Sequence, residues 1–267
     1  MADTPTATRA RARAGLRLTT VVIAALVLVG AVAAIVVARY VTTPHATPST
    51  SAPPTATATS AAGEENALAA QPMLQLPAQA AQPQAMTTTS AGPGLSVPAP
   101  AVTGGRWVPG GFPATPEGAL GQLQALNETT LAAADPQVYA RGYRELAEPG
   151  APDPGSTGLA ALLRSMRARA QLPATGSVAG LTASFQITHG QIKGTASGGR
   201  YAVVCVLGQF SIGVNGQAVA AGVGDCQAMR WTGTEWRIAS GALAAAAPCA
   251  WPGSADAVKA GYRELVR

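Results

Sequence analysis

The sequence predicts an α+β domain carried on one membrane-spanning helix. Three observations support this: an uncharged apolar run near the N-terminus, a long low-complexity stretch after it, and a C-terminal part in which helical patterns precede strand patterns. The expected segments are a basic cytoplasmic tail at 1–17, a transmembrane helix at 18–38, a disordered stalk at 39–104 and an extracytoplasmic α+β domain at 105–267.

The apolar run from Leu18 to Ala38 contains no charge over 21 positions. At a rise of about 1.5 Å per residue it spans about 30 Å, the thickness of the hydrocarbon core of a bilayer. Arginines at 9, 11, 13 and 17 precede it, opposed by Asp3 alone, and Arg39 is the one charge that follows up to position 63. The positive-inside rule therefore predicts a single-pass cell-membrane protein with a cytoplasmic N-terminus, membrane lipid around 18–38 and an extracytoplasmic C-terminal domain. A signal peptide cleaved near Ala38 stays an alternative, although apolar regions of signal peptides are usually about 7 to 15 residues long.

The stalk at 39–104 consists mainly of Thr, Pro, Ala, Ser and Gln. From Val41 onward, Glu64 and Glu65 are its only charges. Such a composition buries too little apolar surface to offset the entropy of ordering, so we expect a disordered tether with a reach on the order of 45 Å. A bare spacer and a stalk carrying O-linked sugars both fit this composition.

Three helices are predicted at the start of the domain. Thr115 before Pro116 and Asp135 before Pro136 are N-cap signals with proline at the first helical position. The third helix is expected from about 157 to 170.

Four strands are predicted in the second half, at 181–188, 201–212, 217–231 and 236–239, because these stretches are rich in β-branched and aromatic residues and are separated by turn signals. Helices followed by an antiparallel sheet indicate an α+β fold with a curved sheet around the helices. This order is similar to the nuclear-transport-factor-two-like (cystatin-like) fold.

A disulfide is predicted from the hairpin turn at Asn215–Gly216, a dipeptide typical of two-residue turns. If Val214 faces Gln217, then Cys205 faces Cys226 in a non-hydrogen-bonded pair, with Cα atoms about 4.5 Å apart. Cys249 would then be free or available to a second chain. A bulge at 222–224 is the alternative, because it would shift the register and leave all three cysteines free or pair one of the two with Cys249.

The residues that carry catalytic or metal chemistry are few. The three Cys and two His match no zinc spacing, and His189 is the only histidine of the predicted domain. We therefore expect no metal, no cofactor and no enzymatic activity. The sortase-like LPATG at 172–176 lacks the hydrophobic tail that a sorting signal needs, and the glycosylation triplet at Asn127 falls inside a predicted helix. The domain has 13 Lys and Arg against 10 Asp and Glu, a net charge of +3 that argues against direct nucleic-acid binding.

A repeated GYREL, at 142–146 and 261–265, predicts two similar short helices. The favoured interpretation is that Tyr143 and Tyr262 pack inward between exposed charges, with a partner-binding stripe as the alternative. The three arginines of the third helix are interpreted in the same two ways, as a solvated face or as a contact surface. They are Arg164, Arg167 and Arg169.

Several strings resemble a family of uncharacterised actinobacterial single-pass membrane proteins found with integrative and conjugative elements. They are GGFPATPEGAL, GSVAGLTASFQITHGQIKGTASGGRYAVVCVLGQ, GVGDCQAMRW and AWPGSADAVKAGYREL. These motifs have no assigned chemistry, so the resemblance transfers no catalytic residue. The layout is more distantly similar to assembly factors of conjugation channels, whose nuclear-transport-factor-two-like domains are protein–protein contact modules.

The resemblance implies a non-enzymatic extracytoplasmic interaction domain in a DNA-transfer or envelope-associated assembly. Its expected partners are envelope or transfer-machinery proteins, which would meet the exposed sheet or the third helix. The alternative is a small-ligand-binding or enzymatic domain that uses a pocket between the sheet and the helices. Neither reading of the sequence fixes the oligomeric state.

Overall fold

The structure, a computed structural model, describes residues 60–214 and 217–266. The predicted tail, transmembrane helix and first part of the stalk lie outside these residues. The described part is an α+β fold with a curled six-stranded sheet. Its helices are α1 (Ala61–Ala70), α2 (Pro116–Leu131), α3 (Pro136–Leu146), α4 (Gly158–Arg169) and α5 (Ala255–Lys259). Its strands are β1 (Leu95–Ser96), β2 (Leu181–Ala196), β3 (Tyr201–Val214), β4 (Gln217–Trp231), β5 (Trp236–Ile238) and β6 (Arg263–Val266).

The predicted helix starts are confirmed by capping hydrogen bonds. The Thr115 hydroxyl accepts from the Gly118 N–H at 3.1 Å, and the Asp135 carboxylate accepts from the Gln137 N–H at 2.7 Å. Thr157 caps α4 in the same way. Each cap satisfies a backbone donor that has no partner within the helix.

The sheet has the strand order β1-β6-β2-β3-β4-β5. Neighbouring strands are antiparallel except β1 and β6, which are parallel. The four predicted strands are all present, but β2 runs to Ala196 rather than ending at 188. Strand β1 was not predicted because it is two residues long and lies in the predicted stalk. Strand β6 was not predicted because it lies in the second GYREL, where a helix was expected.

Both faces of the sheet are covered near its centre. Helix α2 packs on β2 and β3 on one face, where Val204 and Val206 join the main core. On the other face Val203 and Leu207 pack against chain from 68–76 and 239–262. Strand β3 is therefore buried on both sides, as its continuous apolar run at 201–207 requires.

The prediction that residues 39–104 form a disordered stalk is wrong for residues 60–104. Helix α1 packs on the sheet with Ala69 fully buried, and the Glu65 carboxylate accepts from two nitrogens of Arg230 at 2.8 and 2.9 Å. The Lys193 ammonium donates to the carbonyls of Ala69 and Gln71 at the end of the helix. Small alanine side chains allow this close contact, and the polar partners come from strands far along the sequence.

The predicted hairpin register and disulfide are confirmed. Val214 lies opposite Gln217, and Cys205 forms a disulfide with Cys226, with Cα atoms 4.0 Å apart. Pairing is continuous through 222–224, so the alternative with a bulge there is excluded.

The glycines at 222 and 224 instead allow another segment of the chain to approach β4 closely. A Cβ on Gly224 would lie 2.5 Å from the Pro248 carbonyl oxygen, and one on Gly222 would overlap the Ala250 carbonyl. The segment around Cys249 therefore packs directly on β4. Cys249 stays free, and its sulfur accepts from the Gly224 N–H at 3.5 Å.

The second GYREL does not form the predicted helix. Helix α5 ends at Lys259, Gly261 follows with a φ of +89°, and Arg263–Val266 pairs as strand β6. A positive φ is open to glycine at little cost, which explains why the helix stops there. The first GYREL lies in α3 as predicted.

Candidate functional site

The arginines of α4 do not form one common surface. Arg164 is exposed and donates to the Gly155 carbonyl at 2.8 Å, and Arg169 is half-buried. Arg167 is fully buried, which contradicts the prediction that it lies on a solvated or partner-binding face.

Arg167 organises the loop that contains LPATG. Its guanidinium donates to the carbonyls of Ala134, Pro173 and Gly176 at 2.9, 2.6 and 2.6 Å. A guanidinium carries five donors in a fixed plane and satisfies several carbonyls at once. Arg167 is therefore a structural residue, and the loop folds around it.

The two GYREL tyrosines are also interior residues. Tyr143 is fully buried, and the Tyr262 hydroxyl donates to the Pro248 carbonyl at 3.0 Å. The packing interpretation accounts for both, and neither ring is available to a partner.

A buried polar cluster lies between the sheet and the helices. The Asp225 carboxylate on β4 accepts from the Asn127 amide at 2.9 Å and from the Gln227 amide at 3.1 Å. The Tyr143 hydroxyl is buried nearby without a hydrogen-bond partner among the described residues. Burial raises the pKa of Asp225 to about 6, against which the two amide hydrogen bonds act.

This polar cluster lies between the sheet and the helices, which is where the alternative function, a ligand-binding or enzymatic domain, would have its pocket. Asn127, the residue of the glycosylation triplet, is fully buried and bound to Asp225, so it is not a surface acceptor. A groove of about 480 Å³ lies elsewhere, open at the rim between β1 and the start of α2.

His189 lies on β2, where it pairs with strand β6. Its Nδ1 is 2.9 Å from the Thr188 hydroxyl, and Glu264 on β6 pairs opposite it. Burial lowers the pKa of His189, and the Glu264 carboxylate partly offsets this. Among residues 60–214 and 217–266 no group of three or more His, Cys, Asp or Glu side chains is arranged to hold a metal ion.

One end of the sheet carries no charged residue and no proline. We define the uncharged sheet end as residues 181–188 of β2, 207–214 of β3 and 217–224 of β4. Its three strands run in register from Leu181 opposite Val214 to Ile187 opposite Gly208. Natural sheets usually place charges, Lys above all, or prolines where strand edges meet solvent. The uncharged sheet end lacks these features.

The outer edge of β2 at this end is open. Strand β6 pairs with β2 at His189 and Gly190, beyond the uncharged sheet end. At Ile187 the edge is closed by side chains of α2, since the Glu128 carboxylate accepts from the Ile187 N–H at 3.1 Å and the Gln124 amide lies 3.5 Å from its carbonyl. From 182 to 186 no hydrogen-bond partner on this edge is found among the described residues. Thr182, Ser184 and Gln186 are exposed.

The opposite edge of the sheet is closed at β5. The Glu148 N–H donates to the Ile238 carbonyl at 3.0 Å, and Ala147 bridges to the same residue of β5. At the uncharged sheet end, which β5 does not reach, the outer edge of β2 is open. Sequence reasoning missed it, although the absence of charge over 181–188 and 217–224 is visible in the sequence.

Comparison with protein-family models, with curated proteins and with solved structures finds no match. Within the part of the chain that the structure describes, none of the helices has the length and apolar character needed to cross a bilayer.

Proposed function

We propose that the protein is a bitopic membrane protein whose C-terminal domain is a non-enzymatic interaction module outside the cytoplasmic membrane. The observation that carries the proposal is the uncharged sheet end with its open β2 edge, because exposed strand edges recruit extended segments of other chains. The Cys205–Cys226 disulfide agrees with an extracytoplasmic location, where disulfides persist.

The assembly in which we place the domain is an envelope-associated one, of the kind that transfers DNA between cells. The support for this step is the resemblance to proteins found with integrative and conjugative elements, together with the predicted order of membrane helix, tether and domain. The partners are then envelope or transfer-machinery proteins, and the contact is made by protein surface rather than by bound cofactor.

The location is tested by adding protease to intact spheroplasts that express the full chain with an N-terminal tag. We expect the domain to be degraded and the tag to survive, because the predicted span holds residues 1–17 in the cytoplasm. A domain that stays protected until the membrane is lysed would contradict the topology.

The interaction role is tested with a photo-cross-linking amino acid at Gln186, on the open edge, and at Thr234, an equally exposed position in the β4–β5 turn. We expect discrete adducts from position 186 in living cells and none from position 234. Absence of adducts at 186, with the chain correctly inserted, would reject an interaction through this edge.

A further inference from the structure

The open edge of β2 also indicates what pairs with it. We propose that residues 182–186 pair antiparallel with the same residues of a second copy of this chain, about a twofold axis at Ser184. This inference rests on the proposed interaction role and names its first partner.

The backbone direction along β2 follows from its contacts. In a strand the N–H and C=O of one residue point to the same side, and successive residues alternate. The N–H and C=O of Ile187 point away from β3, toward Glu128 and Gln124. Phe185 and Ala183 are two and four residues from Ile187 along the strand, so their N–H and C=O groups point the same way, outward to the open edge.

The register of the pairing follows from which groups are open. Pairing Ala183 with the second copy's Phe185, and the reverse, makes four backbone hydrogen bonds and places Ser184 opposite its own copy. A register centred on Phe185 would require Ile187, whose groups Glu128 and Gln124 already satisfy. A register centred on Ala183 would require the Leu181 N–H, which donates to Val178 at 3.2 Å.

The lack of charge favours a second copy over a different chain. A twofold axis brings identical residues of the two copies close together, so any charge near the axis would meet a like charge. The exposed residues nearest the axis are Thr182, Ser184 and Gln186, which are neutral. These neutral side chains can form hydrogen bonds with the same side chains of the second copy without such repulsion.

The pairing also extends an apolar face. Leu181, Ala183 and Ile212 are half-buried on the side of the sheet that carries the helices, and Phe185 lies in that core. In the proposed register, Leu181, Ala183 and Phe185 of the second copy continue this apolar face across the axis. Partly exposed apolar area near Ala183 is thereby removed from water.

The test is a cysteine cross-link in the full chain in membranes, with Cys249→Ser to remove the free thiol. Ser184 would face its copy in a non-hydrogen-bonded pair, with Cα atoms about 4.5 Å apart, a distance that a disulfide accepts. We expect Ser184→Cys to give a dimer on mild oxidation. Thr182→Cys, on the same exposed face, would lie about 14 Å from its copy, four residue steps away, and should stay monomeric.

The double variant Thr182→Cys/Gln186→Cys supplies a rescue, because 182 faces the second copy's 186 in this register. It should cross-link although Thr182→Cys alone does not. Ser184→Lys, which places two like charges at the axis on an exposed site, should weaken association of the detergent-solubilised chain by up to about fivefold in sedimentation.

Equal cross-linking of Ser184→Cys and Thr182→Cys would show random collision and overturn the register. Absence of a Ser184→Cys dimer would overturn the pairing itself. In that case the proposed function stands if position 186 still photo-cross-links to a different protein, and falls if it gives no adduct at all.

Discussion

At the residue scale, the buried carboxyl group of Asp225 makes the stability of the domain depend on pH. Its carboxylate is buried between β4 and α2 and is held by two neutral amides rather than by a cation. Burial of an unpaired charge favours the protonated form. Because the pKa of Asp225 is raised from 3.8 to about 6, this group lowers the stability of the fold as the pH rises through that interval.

We expect Asp225→Asn to remove this loss. A shift from 3.8 to about 6 corresponds to about 3 kcal/mol at most, so the gain in unfolding free energy over the wild type should be larger at pH 8 than at pH 4 by up to about that amount. Denaturant unfolding followed by tryptophan fluorescence measures it, since all four tryptophans lie between 107 and 251. Glu145→Gln, on the exposed side of α3, is the control. A gain that is equal at both pH values would show that Asp225 titrates normally.

At the element scale, α1 is held by its polar contacts more than by its apolar ones. Its buried residues are Glu65 and Ala69, and Glu65 joins Arg230, which also binds Glu148 at 3.2 Å. The Ser197 hydroxyl donates to the same Glu65 carboxylate at 2.6 Å. The hydrogen bond from Arg230 lowers the pKa of Glu65, so this contact strengthens above the ordinary carboxyl range and is lost in acid.

Glu65→Gln should therefore release α1 before the rest of the fold. We expect a loss of about 1–3 kcal/mol, the usual effect of removing one partner of a largely buried charged hydrogen bond. Hydrogen exchange of the 61–70 amides should rise selectively. Glu64→Gln changes the neighbouring exposed glutamate and should leave exchange unaltered. Uniform loosening of the whole domain would contradict a local role for the contact.

The α1 contacts also show what the sequence alone could reveal. Caps such as Thr115 and Asp135, and the hairpin register that joins Cys205 to Cys226, depend on neighbours in sequence and were predictable. Glu65 finds Arg230 across 165 positions, and its alanine-rich helix resembles a linker in composition. Arg167 was misjudged for the same reason, because an arginine-rich helix does not reveal which of its faces the rest of the chain covers.

At the scale of the whole molecule, the domain includes residues 60–104, which precede the predicted start at 105. Residues 60–104 supply α1, the edge strand β1 and chain that covers the outer face of the sheet. This part of the predicted stalk therefore belongs to the folded domain.

Two truncations test this boundary. A chain that starts at Ser60 should fold and melt cooperatively. A chain that starts at Gly105 loses β1 from β6 and uncovers Tyr201 and Val203, so we expect aggregation or a large loss of stability. Light scattering and thermal melts distinguish the two. If both fragments showed the same solubility and thermal stability, residues 60–104 would not be part of the folded domain.

The position of α1 has a mechanical consequence. In a chain anchored through 18–38, tension from the membrane enters the domain at Ser60, the N-cap of α1. The first groups to resist that pull are Glu65 and its partners on β3 and β4, where the Tyr201 hydroxyl donates to the Glu65 carbonyl and Arg230 binds its carboxylate. These two strands are joined covalently by Cys205 and Cys226. If the proposed anchor loads the domain in this way, we expect α1 to detach before the hairpin joined by this disulfide is strained.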